Sequence, residues 1–580
     1  MHRFHPFAPL IAALACCTLF HAEAHAQAAG YDLTIEPYTF QTADGRTAKA
    51  ERGTFKVREN RQHDTDKIIE LAFVRFKSTN PNPGAPIVYL AGGPGGSGSG
   101  TARGARFDLF MAFRDVADVI AFDQRGTGLS QRLPPCPEQW SYPLDQPGER
   151  QALLETTIAH ARHCAGYWKE QGVDLAAYNT NESADDLESL RRALGAEKIS
   201  LWSISYGTHL ALAALKRHPE RIDRVILAGL EGPDHTSKLP SDQQAMLEKI
   251  DALVKQDLVM RRKLPDFLGT VEAVLDGLDR EPVTVDVFDE KRGETVQLTL
   301  GKFDAQLIST FFLRGPSNFK GLLSLYLEMQ QGDFSSLAPL VLRFMRSGSL
   351  GAMPTAMDAA SGLSDERRAR VAREREETLL GDAINFPFPE VAQGLGVPDL
   401  GPEFRANVQT DVPALFISGT LDGRTPVHNA EEVRAGFSNS THLIIDGAGH
   451  SDPLFLSSPR IAEVMLAFLK GDPVEDEVVT LPPPDLRLRN TITLDDATLE
   501  RYVGQYELGP NAILTITKAE GTLIADLPGQ GRFTFYPETE TIFFMKEADV
   551  QITFVEDERG NVSEIVVNME RTEMQGRRVH

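Results

Sequence analysis

Short, largely apolar runs recur along much of the chain. They include Ile87-Val88-Tyr89-Leu90, Val119-Ile120-Ala121-Phe122, Ile199-Ser200-Leu201-Trp202, Val225-Ile226-Leu227-Ala228, Ala414-Leu415-Phe416-Ile417 and Leu443-Ile444-Ile445. Each is too short for a helix and bounded by turn residues, which predicts strands buried on both faces. Between them, residues 151–171, 185–194 and 208–218 read as helices, and Gly195 suits a left-handed helix end. Strand, helix, strand at this pitch predicts a parallel sheet with crossover helices. Residues 53–57 and 68–76 carry β-type residues around a polar loop at 59–67, predicting antiparallel strands ahead of that sheet.

The buried-strand rhythm stops at 233–403. Residues 241–278 and 303–345 read as helical, and 283–300 alternates like a hairpin around Lys291-Arg292-Gly293. Residues 364–380 read as a charged helix with a solvated face. The whole stretch is expected to be a cap over the active edge of the sheet. The rhythm resumes over 404–472, closing with a helix at 461–469, and an acidic segment with Pro482-Pro483-Pro484 at 473–485 reads as a linker. Beyond it, 486–580 holds short strands with polar turns, expected at 513–517, 522–527, 532–536, 541–545, 551–555 and 565–568. The expected class is α/β: a parallel-sheet core in two parts (27–232 and 404–472), a mostly helical cap at 233–403 and a small all-β domain at 486–580.

Length agrees, since 580 residues exceed one ordinary domain. The net charge of −23 with no basic run argues against nucleic acid and anionic membranes as partners. Residues 1–26 read as a signal peptide: Arg3, an apolar stretch at 7–20 broken by Pro9, then Ala24-His25-Ala26 before Gln27. That stretch is too short to span a bilayer, and no other segment reads as a membrane span. A periplasmic or secreted location follows. Cys16 and Cys17 leave lipoprotein anchoring as a second reading, weakened by the poor lipobox Ala13-Leu14-Ala15. Export leaves Cys136 and Cys164 as a disulfide pair rather than two buried thiols. Oligomeric state is not legible.

The candidate chemistry lies in loops that follow strands, at the sheet edge where α/β enzymes act. Ser203-Ile204-Ser205-Tyr206-Gly207 sits at a strand-to-helix junction with the small-x-Ser-x-Gly spacing of a nucleophile elbow. The tight turn lifts the Ser205 hydroxyl clear of the backbone and aims the Tyr206 N–H at the same space. The run Gly92-Gly93-Pro94-Gly95-Gly96 after a buried strand lacks a phosphate-binding lysine, and no ribose-binding acid pattern follows it. It reads as the second half of an oxyanion hole, with Gly93 donating. Asp422 and His450 follow in the order Ser, Asp, His. In such a triad the imidazole takes the serine proton, and the carboxylate fixes its tautomer. Asp446 is the second choice for the acid. His442, His209 and His218 read as structural, and Asp123 and Arg125 as a pair shaping their loop. Nothing calls for a metal or cofactor.

Ala-Gly-Gly-Pro-Gly-Gly at 91–96, Asp-Gln-Arg-Gly-Thr-Gly at 123–128, Ser-x-Ser-Tyr-Gly-Thr at 203–208 and Gly-x-Gly-His at 447–450 resemble the prolyl and tripeptidyl aminopeptidase group of α/β-hydrolases. Ala91 replaces the usual histidine of the first motif, and Ser203 the usual first glycine of the elbow; neither change removes a catalytic group. The resemblance implies an acyl-enzyme serine mechanism releasing residues from peptide N-termini. On that footing Glu231, directly after a strand beside the Ser205 strand, is a candidate anchor for the substrate amine. The other reading has it capping the turn Glu231-Gly232-Pro233 or pairing with a cap arginine. A carboxylesterase or lactonase with the same triad, and a non-catalytic binding protein on the scaffold, are the rival classes; small peptides or esters are the expected partners.

Overall fold

The computed structural model describes residues 32–579, apart from 64–65, 290, 510–511, 520, 529–530, 547–549 and 570–571. The expected signal peptide, with Cys16 and Cys17, lies outside the described residues. Ten strands form one sheet. In spatial order they begin at Thr34, Thr47, Ile68, Val119, Ile87, Ile199, Ile222, Ala414, Ser440 and Glu477. The first four pair antiparallel, and every pairing from the Val119 strand onward is parallel.

Period-two alternation sends successive side chains of each buried strand to opposite faces. Val88, Leu90, Ile120, Phe122 and Leu201 pack on one face, against the helices Thr180–Ala193 and Tyr206–Arg217. Ile87, Tyr89, Val119, Ala121 and Trp202 pack on the other. There Trp202 meets Tyr89, Phe113 and Phe455 edge-on. Burial on both faces explains why these runs are almost free of polar residues.

Helices and the hairpin Val283–Asp289/Glu294–Leu300 make up most of the stretch between Pro240 and Arg405. They bury a core of their own, including Leu247, Phe267, Leu322 and Tyr326. A buried pair, Arg346 with Asp304, ties this layer to the Gly148 N–H. The helix Ala352–Ser361 belongs instead to the sheet core, through Met353, Ala356 and Met357. The charged helix is shorter than expected, Asp365–Arg375, and its face is not wholly solvated. Arg367 is buried on the Ser237 carbonyl, and the Glu374 carboxylate accepts from the Ser241 N–H.

Within the expected linker, Glu477–Thr480 is the edge strand of the sheet, parallel to Ser440–Asp446. The C-terminal strands close into an eight-stranded antiparallel barrel. Gly504–Gly509 and Thr572–Val579, neither expected from sequence, pair with each other to shut it. Tyr502, Tyr506, Phe543 and Phe554 fill its interior.

Candidate active site

The strand Ile199–Ser205 runs directly into the helix Tyr206–Arg217. Ser205 sits between them at φ 54°, ψ −129°, a conformation that non-glycine residues rarely adopt. Tyr206 is the first residue of the helix, so its N–H has no intrahelical acceptor. Gly207 must be glycine, since a Cβ there would lie 2.2 Å from the Leu90 carbonyl oxygen. Ser203 is buried, and its hydroxyl donates to the Ile226 carbonyl at 2.7 Å. Its small polar side chain is thus absorbed by the neighbouring strand.

Ser205 and His450 line one cleft of 560 Å³, together with Gly92, Gly93, Glu231 and Thr425. Gly92 lies so close to the nucleophile that a Cβ on it would come within 3.0 Å of the Ser205 Cβ. His450 is held from two sides. Its N–H donates to the Arg314 carbonyl at 2.7 Å, and its Nδ1 meets Asp422 Oδ2 at 2.7 Å. Asp422 is fully buried. It also accepts from the N–H groups of Arg424 and Thr425 at 2.8 and 2.9 Å, and from the Thr425 hydroxyl at 2.8 Å. Burial pushes its carboxyl up, but the His450 charge and hydrogen bond, with the donors from Thr425, hold it below the usual range. Thr425 Oγ1 also lies 3.1 Å from His450 Nδ1. Sequence reading passed over Thr425, although its place three residues after Asp422 in a tight loop was a usable signal.

The second choice, Asp446, is exposed and accepts from the Thr420 hydroxyl at 2.8 Å. His442 lies between Glu431 and Ser418, His209 between the Gly232 carbonyl and the Ser361 hydroxyl, and His218 on Asp185. The expected Asp123–Arg125 pair is not formed. Asp123 accepts from Ser99 and Leu129, while Arg125 is fully buried on Asp186 at 2.7 Å and on the carbonyls of Glu59 and Ala177. A buried guanidinium needs a carboxylate, and the helix Thr180–Ala193 supplies it from within the domain.

Glu231 is buried, and Lys238 Nζ lies 2.6 Å from its carboxylate. Its partner is therefore a lysine, not the cap arginine weighed as the alternative. Asp358 joins them from the helix Ala352–Ser361. Burial, then the charge of Glu231, pushes its carboxyl well above the ordinary range, against the pull of Lys238. A lone acid in a run of Ala and Met was the signal that sequence reading passed over. Cys136 and Cys164 form a disulfide with Cα atoms 5.6 Å apart, as expected. Among the described residues, no helix is long and apolar enough to cross a membrane.

The sheet, the elbow and the loops behind it define an α/β-hydrolase-fold hydrolase. Residues 85–265 match the family described as alpha/beta hydrolase fold, and residues 393–478 the family described as TAP-like protein. Residues 488–578 match a domain of unknown function, DUF3471. The chain resembles the prolyl and tripeptidyl aminopeptidase group. It is 28% identical over 440 residues to the serine protease Hip1 of Mycobacterium tuberculosis, covering 70% of this chain and 82% of that protein. It is 29% identical over 180 residues to the tripeptidyl aminopeptidase of Streptomyces lividans, covering 29% of this chain and 33% of that one. It is 30% identical over 164 residues to the proline iminopeptidase of Neisseria meningitidis, covering 28% and 38%.

Proposed function

We propose that this chain is an exported serine aminopeptidase that releases residues from peptide N-termini through an acyl-enzyme. Ser205 attacks the scissile carbonyl while His450 Nε2 takes its proton. Asp422 holds the other nitrogen protonated and stabilises the imidazolium. The N–H groups of Tyr206 and Gly93 receive the oxyanion. His450 then protonates the leaving amine, and water repeats the sequence on the acyl-enzyme. The observation that carries this reading is the Asp422 carboxylate at 2.7 Å from His450 Nδ1, with Ser205 on its strained elbow in the same cleft. The N-terminal sequence and the disulfide support export.

The preference for a free amine rests on charge. Glu231, Asp358 and Lys238 sum to −1 when all are ionised, and burial and the charge of Glu231, which raise the Asp358 carboxyl, act against that state. A substrate ammonium would balance the charge and favour ionised Asp358. In this reading Glu231 shares its carboxylate between Lys238 and the substrate. The test assays one peptide with free and with acetylated N-terminus, in the wild type and in Glu231→Gln. The wild type should reject the acetylated form, and the substitution should shrink that discrimination. Equal turnover of both by the wild type would remove the aminopeptidase reading and favour the esterase class. A fluorophosphonate label on Ser205 separates either enzyme from a non-catalytic scaffold.

A further inference from the structure

Four cationic side chains line the catalytic cleft: Arg106, Lys238, Arg314 and Arg424. Two are already matched. Arg106 is held by Asp452 at 2.6 Å, the Tyr89 hydroxyl at 2.5 Å and the Ser451 hydroxyl at 3.2 Å. Lys238 is held by Glu231 and by the His235 carbonyl at 2.8 Å. The other two form no salt bridge among the described residues. The Arg424 guanidinium reaches the Thr310 carbonyl at 3.3 Å, a weak neutral contact. Burial, then the positive charge of Arg314, pushes the Arg424 guanidinium down to about 10, with Asp422 opposing the shift. Arg424 thus carries a like charge as neighbour and has no ion-pair partner of its own among the described residues, a state that an anion would relieve.

Their position says which part of a substrate they meet. Arg424 lies two residues after Asp422, and its N–H donates to that carboxylate at 2.8 Å. The Arg314 carbonyl accepts from the His450 N–H. Both arginines therefore belong to the segments that hold His450 and its acid. Glu231, in contrast, follows the strand that pairs Leu230 with Ser205. His450 must hand its proton to the leaving group, so the leaving group lies on the His450 side.

We infer that Arg314 and Arg424 form an anion subsite that binds a carboxylate on the leaving-group half of the substrate. The assignment of sides rests on the aminopeptidase reading above. Guanidinium groups suit a carboxylate because their fork of donors matches its two oxygens. Glu231 and Asp358 on one side and the two arginines of the segments that hold His450 and Asp422 on the other give the cleft charges of both signs. It fits a short peptide with a free amine at one end and a carboxylate just beyond the scissile bond. That carboxylate comes either from a free C-terminus or from an acidic side chain.

The test compares kcat/KM of the full chain for three peptides. They are Ala-Ala-Pro-Ala-Ala as free acid, the same peptide as C-terminal amide, and the amide with glutamate directly after the scissile bond (located by mass spectrometry of the products). At least one carboxylate-bearing peptide should exceed the plain amide by about tenfold or more, the scale of a charge-assisted contact, and which one does so identifies the source. The ratio is internal to each variant, so a general loss of activity cancels. Arg314→Gln, at an exposed position, should bring it toward one, and Arg314→Glu should push it below one. Arg424→Gln should act like Arg314→Gln; if it does not fold, the Arg314 variants decide. A wild-type ratio near one for both carboxylates, or a ratio unchanged in Arg314→Gln and Arg314→Glu, would overturn the subsite. If a preparation shown by fluorophosphonate labelling of a separate sample to carry a reactive Ser205 cleaves none of the peptides in its unlabelled state, the peptidase reading falls by itself. The subsite is then judged by inhibition of nitrophenyl acetate turnover. Ala-Ala acid should inhibit more strongly than Ala-Ala amide, and Arg314→Gln should erase the difference; equal inhibition in the wild type overturns it.

Discussion

Replacing Asp422 by asparagine separates the orienting role of this carboxylate from its structural role. Asp422 Oδ1 accepts from the N–H groups of Arg424 and Thr425, and Oδ2 faces the Thr425 hydroxyl and His450 Nδ1. In the variant the amide oxygen must take the Oδ1 place, because only an acceptor satisfies two N–H donors. The NH₂ group then faces His450 and donates to Nδ1. The imidazole proton is forced to Nε2, the nitrogen that must accept from Ser205. The fold keeps its hydrogen bonds while the base holds the wrong tautomer, and loss of the carboxylate also removes the partner of the imidazolium. Turnover should fall by about 10⁴-fold, or ~5 kcal/mol in the barrier. Asp446→Asn should cost little, since Asp446 is exposed and serves the Thr420 hydroxyl. The assay is kcat/KM on a small ester or peptide for both variants, with circular dichroism to confirm the fold. A larger loss from Asp446→Asn, or activity within about tenfold of wild type for Asp422→Asn, would refute the reasoning.

Replacing both Cys136 and Cys164 by serine reopens a link spanning 28 residues, and urea unfolding should show a loss of about 3–4 kcal/mol. Asp358→Asn should stabilise the free protein at neutral pH. A raised carboxyl keeps its proton in the folded state over a pH range in which the unfolded chain has released it, so stability falls as pH rises through that range. The variant should lose that slope and gain nothing below about pH 3. Melting temperatures across pH check this, and a gain confined to acid pH would contradict the burial argument.

Much of the site was legible because each part is a local device. An elbow needs small residues at fixed offsets around Ser205, and a buried parallel strand shows itself as an unbroken apolar run before the loop that carries Asp422. These constraints act over a few residues, so periodicity and turn chemistry expose them. The strands Gly504–Gly509 and Thr572–Val579 escaped because glycines in one and charges in both obscure the alternation. They are strands because each completes the other's hydrogen bonding across the barrel seam. Glu477–Thr480 escaped for a similar reason: its composition is that of a linker, and the free edge of Ser440–Asp446 makes it a strand.

Charge pairing lay beyond the sequence altogether. Arg125 stands two residues from Asp123, yet its partner is Asp186, brought to it by packing of the helix Thr180–Ala193. Asp446 is only four residues from His450, yet strand alternation turns it outward, whereas Asp422 arrives from the neighbouring strand's exit loop. Glu231 was placed at the right edge, but its lysine, the nearby Asp358 and the two unmatched arginines emerge only when the cap is folded over the sheet. Hydrophobic pattern and turn chemistry are short-range, so the chain by itself determined the elements, the elbow and the candidates for the triad. Electrostatic partners are set by distance through space and by the loss of water, so the tertiary structure alone decided which charges meet and which are left for a substrate.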